Sequence, residues 1–219
     1  MPSTELMSGV LAPVVTPFND RLEPDAERLV GHCRWLLSQN CGLAVFGTNS
    51  EANSLSITER MRLLDALVES DLDPARMMPG TGTCAIPDTV ALTKHAVGHG
   101  VGGVLMLPPF YYKGVSDEGL YRSYAEVIER VGDDRLRVYL YHFPQMSAVP
   151  LGVELVRRLR EDFPGIVAGM KVCSGEQANL VRMLTAFPDF AMFDGTEMLL
   201  LANMRYGGAC CISATANII

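Results

Sequence analysis

Apolar residues along the chain fall in short continuous runs. Runs of strand length cover residues 10–16, 43–47, 76–80, 101–107, 136–141, 166–171, 190–193 and 209–215. Runs of this kind suit strands buried on both faces, as in a parallel sheet covered by helices. Between them the apolar positions recur at helical spacing. Helices are expected over 25–39, 58–69, 88–99, 117–131, 152–163 and 177–187, with a shorter one over 198–206. In the first, Leu29, Cys33, Leu36 and Leu37 share one side. Ser56 can cap the second with Glu59 three residues on, the pattern of a capping box.

Eight strand candidates with seven intervening helices read as β/α alternation in a single domain over residues 1–219. An open doubly wound sheet has the same local pattern. Two features favour a closed (β/α)8 barrel. The strand count is eight, and polar residues gather after several strands: Thr16, Thr48, Thr81, Tyr111, Tyr141, Lys171 and Thr215. Barrel enzymes assemble their sites from the C-terminal ends of many strands. A nucleotide-binding sheet would place a glycine-rich turn after its first strand, where this chain has Val-Thr-Pro-Phe-Asn-Asp. A complete barrel has an eighth helix and typically roughly 250 residues. The sequence ends directly after the eighth strand, so a C-terminally truncated barrel is expected.

Composition narrows the function classes. The net charge of −7 argues against a nucleic-acid partner, which favours a basic face. It leaves an anionic small-molecule substrate open. The apolar runs are too short to span a bilayer. Met1–Glu5 lacks a basic segment leading into an apolar stretch, so no secretory signal is expected. The six cysteines contain no Cys-x-x-Cys pair, and the histidines at 32, 95, 99 and 142 form no ligand-like cluster with them. No metal site is expected, and free thiols fit a reducing cytoplasm.

Lys171 closes the run Ile-Val-Ala-Gly-Met-Lys. Alternation puts it on the face of Gly169 and Val167, with Gly169 leaving space beside its stem. An amine at an apolar barrel mouth is partly desolvated, which lowers its pKa and frees its lone pair to attack a carbonyl. A lysine at a strand end also commonly snorkels into solvent. Tyr141 ends the preceding strand. Neighbouring strands lie about 4.8 Å apart, so its phenol and the amine can meet across a substrate carbon and pass protons. Filling the barrel top is the commoner use of such a tyrosine. The turn Gly47-Thr48-Asn49-Ser50-Glu51 can offer backbone N–H groups to a carboxylate, and Thr48 adds a hydroxyl. A polar turn capping the next helix has the same composition.

Seven stretches in this order resemble the dihydrodipicolinate synthase/N-acetylneuraminate lyase family. They are Leu-Ala-Pro-Val-Val-Thr-Pro-Phe (11–18), Gly-Thr-Asn-Ser-Glu-Ala (47–52), Pro-Gly-Thr-Gly (79–82), Leu-Pro-Pro-Phe-Tyr-Tyr (107–112), Leu-Tyr-His-Phe-Pro (140–144), Gly-Met-Lys (169–171) and Ile-Ser-Ala-Thr-Ala-Asn (212–217). The resemblance implies a (β/α)8 barrel with further C-terminal helices. It also implies a class I lyase that cleaves or condenses a 2-oxo acid, with pyruvate as the common component. By resemblance, Lys171 is the Schiff-base lysine, Tyr141 the proton-shuttling tyrosine and Thr48 the relay threonine. Tyr111 falls on a second tyrosine that many members contribute from a neighbouring subunit, which implies a homodimer or homotetramer. Thr48 and Asn49 would hold the pyruvate carboxylate, with Met146 and Ile212 also lining the substrate site. No metal or organic cofactor is implied, because the lysine itself is the electron sink.

Departures bear on the substrate. Asn49 stands where the family motif has a second threonine, Ser50 where it has glycine, His142 where Asn is frequent, and Val172 where an acidic residue is frequent. Alternation points His142 away from the Tyr141 face, which suits a structural role. Met146 falls where the synthases proper resemble one another in carrying an arginine for a substrate carboxylate. A thioether supplies neither charge nor an N–H donor. A sugar-acid-like 2-oxo acid therefore fits better than an amino-acid semialdehyde, unless Lys113 or another basic residue takes the arginine's place from a loop. Dehydration of a 2-keto-3-deoxy sugar acid, dihydrodipicolinate synthesis proper and a catalytically silent 2-oxo acid binding barrel are the alternatives.

Overall fold

A computed structural model describes residues 6–218. Seven parallel strands are β1 (Leu11–Ala12), β2 (Gly42–Leu43), β3 (Val104–Met106), β4 (Val138–His142), β5 (Val167–Val172), β6 (Ala191–Asp194) and β7 (Cys210–Cys211). Strands β3 to β7 form one five-stranded sheet in chain order, and β1 pairs with β2. Isolated parallel bridges close the ring: Leu43 with Met77, Gly80 with Leu105, and Leu11 with Ile212. The expected strand over 76–80 is thus a stave held by two bridges rather than a regular strand. With it the barrel has the eight staves anticipated, and every strand residue is buried.

The helices are α1 (Ala26–Ser38), α2 (Ile57–Glu69), α3 (Ile86–Gly98), α4 (Asp117–Val131), α5 (Pro144–Ser147), α6 (Val153–Asp162), α7 (Gln177–Ala186) and α8 (Leu200–Arg205). Their bounds follow the sequence pattern closely because the stop and start signals are local. Ser56 accepts from the Glu59 N–H while the Glu59 carboxylate accepts from the Ser56 N–H, a complete capping box. Asp25 caps α1 and Ser116 caps α4 in the same way through one bond each. The single turn α5 was not anticipated, since four residues carry no periodicity.

Two apolar layers divide the interior. Strand side chains such as Val138, Leu140, Met170 and Met192 point outward and pack beneath the helices. Leu11, Ala44, Met78, Leu105, Tyr139, Tyr141, Phe193 and Ile212 fill the barrel itself. The ring of Tyr139 is its largest plug. A Cβ at Gly103 or at Gly169 would overlap that ring, so both positions need glycine to admit it. The space beside Gly169 is therefore taken by Tyr139 rather than left for the Lys171 stem. A second correction concerns Val167. The β4–β5 register slips between Val138 and Tyr139, which pair with Val167 and Gly169. The extra residue, Ala168, turns Val167 out to the helix layer, while Gly169 and Lys171 keep facing in.

Met198, Leu201, Met204 and Tyr206, on and beside α8, are exposed. Among the described residues no helix is long and apolar enough to cross a membrane. The opening Met1–Glu5, on which the reading of no signal rested, and Ile219 lie outside the described residues.

Candidate active site

Parallel pairing sets Tyr141 directly opposite Lys171, and Lys171 opposite Phe193. At these facing positions the Lys171 amine lies 3.5 Å from the Tyr141 hydroxyl and 4.6 Å from the centre of its ring. Tyr141 Oη is in turn 3.3 Å from Thr48 Oγ1. Strand ends β4 and β5 and the turn after β2 thus bring three of the anticipated residues into one chain of polar contacts.

Lys171 is 3% exposed, so it does not snorkel. Burial holds its pKa below the ordinary lysine range, against the upward pull of the Cys173 thiol, the Asp194 carboxyl and the Cys211 thiol. Burial likewise raises the Tyr141 phenol, with the nearby Cys173 thiol adding to the rise. An uncharged amine beside a protonated phenol is what removal from water favours for both groups. Asp194 ends β6, and burial pushes it up to about 6 even though the Thr196 and Gly195 N–H groups and Lys171 draw it down. Cys173 and Asp194 are site neighbours that sequence reasoning passed over. Their signal was position: one lies two residues beyond Lys171, the other one residue past an apolar strand run.

The turn after β2 is held from below. Phe46 and Glu51 bracket it in the left-handed region, at φ 57° and 55°. Such backbone is costly for residues other than glycine and persists where surrounding contacts enforce it. Ser50 supplies those contacts. Its buried hydroxyl donates to the Val14 carbonyl, and the Thr16 hydroxyl donates to the Ser50 carbonyl at 2.7 Å. Serine at the family's glycine position therefore ties the turn to the end of the first stave. Among the described residues the backbone N–H groups of Thr48 and Asn49 find no protein acceptor. A small cavity of about 30 Å³ opens beside them, lined by Gly47, Thr48, Gly80, Leu107, Phe110 and Tyr141, among others.

The remaining anticipated residues are dispersed. Ile212 is buried in the barrel interior with Tyr141 and Phe193. Asn49 is exposed on the turn. Met146 is 62% exposed on α5, so within this chain it does not reach Lys171 and Tyr141, which are buried, or Thr48, which is exposed on its turn. Lys113 donates to the carbonyls of Phe110 and Ser147, the latter at 2.8 Å, which brings a loop cation beside Met146. Tyr111 is 73% exposed and meets Tyr112 edge to face at 5.2 Å. The fold does not carry it to Lys171. His142 faces the helix layer: its Nδ1 accepts from the Leu151 N–H at 3.1 Å, and Asn179 lies 3.4 Å from Nε2. Burial, helped by Arg182, lowers its pKa to about 4, as befits a neutral structural imidazole.

Similarity to known proteins extends over nearly the whole chain. Residues 6–219 match the model of the dihydrodipicolinate synthetase family. The chain belongs to that family. A 4-hydroxy-tetrahydrodipicolinate synthase of Thermus thermophilus is 35% identical over 214 residues, which cover 97% of this chain and 70% of the relative. A prophage protein of the family from E. coli K12, solved in complex with pyruvate, superposes with a TM-score of 0.89 at 27% identity, over 97% of this chain and 72% of that one. The 2-keto-3-deoxygluconate aldolase of Picrophilus torridus superposes with a TM-score of 0.88 at 25% identity, over 97% and 75%. The dihydrodipicolinate synthetase family consists of pyruvate-dependent class I lyases, and this chain is an enzyme of that class on their barrel fold.

Proposed function

We propose that Lys171 forms an imine with the carbonyl of a 2-oxo acid, that Tyr141 and Thr48 move the protons, and that the substrate is a sugar-acid-like compound cleaved to pyruvate and an aldehyde. The observation that carries this reading is the buried amine 3.5 Å from the Tyr141 hydroxyl, itself 3.3 Å from Thr48. Attack of the uncharged amine on C2 gives a carbinolamine. The phenol protonates its hydroxyl, water leaves, and a protonated imine remains. That cation accepts the electron pair of the C3–C4 bond as it breaks. The C4 hydroxyl proton passes to the Tyr141–Thr48 pair, and the aldehyde departs. Protonation of the enamine at C3 and hydrolysis release pyruvate and restore the amine. Positioned proton transfer of this kind contributes roughly 10²- to 10⁴-fold.

The free N–H groups of Thr48 and Asn49 suit the substrate carboxylate. Ile212 floors the site, Met146 faces the distal part of the substrate, and the exposed Tyr111 serves a neighbouring copy in a homodimer or homotetramer. Trapping with pyruvate and borohydride should add one adduct, located on Lys171 by peptide mass. Lys171→Arg should add none, because a guanidinium stays protonated. An adduct on another lysine, or none on the folded protein, would refute the assignment.

A second reading is the synthase reaction itself, condensation of pyruvate with an amino-acid semialdehyde. The position of Lys113 beside Met146 favours it, since its ammonium can take the substrate carboxylate that the missing arginine would hold. Steady-state comparison of aspartate semialdehyde with sugar-derived 2-oxo acids separates the two. A clear preference for the semialdehyde would overturn the sugar-acid assignment.

A further inference from the structure

At the end of the barrel away from Lys171, three ligand-type side chains converge. Asp65 Oδ1 on α2 lies 2.8 Å from Nε2 of His95, on α3, and 2.7 Å from Nε2 of His99, the residue after α3. The two imidazoles meet edge to face, with ring centres 4.7 Å apart. All three ligand atoms lie within 4.8 Å of one another. His95 and His99 are four residues apart, so helix geometry sets both rings on one face. His99 caps the end of α3, five residues before β3 begins, whereas the lyase site sits where strands end. The side chains are between 22% and 39% exposed, open enough for an aqueous ion to enter.

We infer that Asp65, His95 and His99 form a divalent transition-metal site, suited to zinc, that clamps α2 to α3. Two imidazole nitrogens and one carboxylate oxygen are a zinc ligand set, with water free to take the fourth position. A tetrahedral ion with bonds of about 2.0–2.2 Å holds its ligand atoms about 3.4 Å apart. The two nitrogens need to draw back from Asp65 Oδ1 by roughly 0.6–0.7 Å, which small side-chain rotations provide. Each imidazole then moves its proton from Nε2 to Nδ1 through solvent. The ion replaces two hydrogen bonds to one shared oxygen with three coordinate bonds across two helices. A site used only as a hydrogen-bonded clasp would take up no ion.

The test uses the full chain after chelation. Titration with zinc should give one site per chain by calorimetry. Cobalt at the same site should show ligand-field bands without the sulfur-to-metal charge transfer that the buried thiols would produce. His95→Gln with His99→Gln keeps amide donors for Asp65 but removes both imidazole ligands. Changes around a metal's outer shell already cost roughly 10–100-fold, so zinc binding in this variant should weaken by more than about 100-fold. Pyruvate trapping in the same variant should stay at the wild-type level, since the cluster lies away from the lyase site. No uptake by the wild type, charge-transfer bands from thiolate, or undiminished zinc binding in the double variant would each overturn the inference. The wild-type cobalt spectrum decides the matter even if the variant fails to fold.

Discussion

Replacing Tyr141 with phenylalanine removes a single oxygen from the centre of the proposed relay. That oxygen lies 3.5 Å from the Lys171 amine and 3.3 Å from Thr48 Oγ1, both at the long end of hydrogen-bond range. The ring stays, stacked on Phe143 with centres 5.8 Å apart, so packing is retained. Loss of long, weak bonds from a buried hydroxyl should change stability by no more than about 1 kcal/mol. The amine loses a polar neighbour but keeps its burial, so imine formation with pyruvate should survive at a slower rate. Catalysis should suffer far more. Loss of positioned proton transfer costs roughly 10²-fold or more, equivalent to about 2.7 kcal/mol of transition-state stabilisation. The assay pairs steady-state turnover with borohydride trapping followed by intact mass. Reduced turnover with retained end-point trapping and a near-native melting profile is the expected outcome. Unchanged turnover would remove the phenol from the mechanism. Complete loss of trapping in a folded variant would mean that Tyr141 positions the lysine instead of moving protons.

Ser50→Ala should leave the Val14 carbonyl without its buried donor and lower stability by about 1–3 kcal/mol, read from urea denaturation; an unchanged midpoint would mean that Thr16 alone holds the turn. The His142 imidazole, lowered by burial to about 4, binds its proton in the unfolded chain first, so stability should fall as pH drops from 6.5 towards 4. A depression of that size corresponds to about 3 kcal/mol across the window. His142→Asn, whose carbonyl can accept from the Leu151 N–H, should flatten that loss. It should also uncover the opposite trend of Asp194, raised to about 6, whose contribution is lost as pH rises; identical pH profiles for the two proteins would contradict the assignment.

The chain alone determined what local rules control. Helix bounds came from caps such as Ser56 with Glu59 and from apolar spacing, and the observed ends differ by a residue or two. Strand positions came from apolar runs because every strand is buried on both faces. The facing of Tyr141 and Lys171 followed from their places at the ends of consecutive strands. Tertiary structure decided what depends on a partner distant in sequence. The slip opposite Ala168 turned Val167 outward and gave the space at Gly169 to Tyr139, and no single strand encodes its neighbour's register. Met146 fell on an exposed turn, and Cys173 and Asp194 moved beside the lysine. Along the chain the histidines formed no ligand-like cluster, and no metal site was expected. Only the packing of α2 against α3 supplied Asp65, because a ligand set needs side chains to meet in space and meeting is a property of the folded chain.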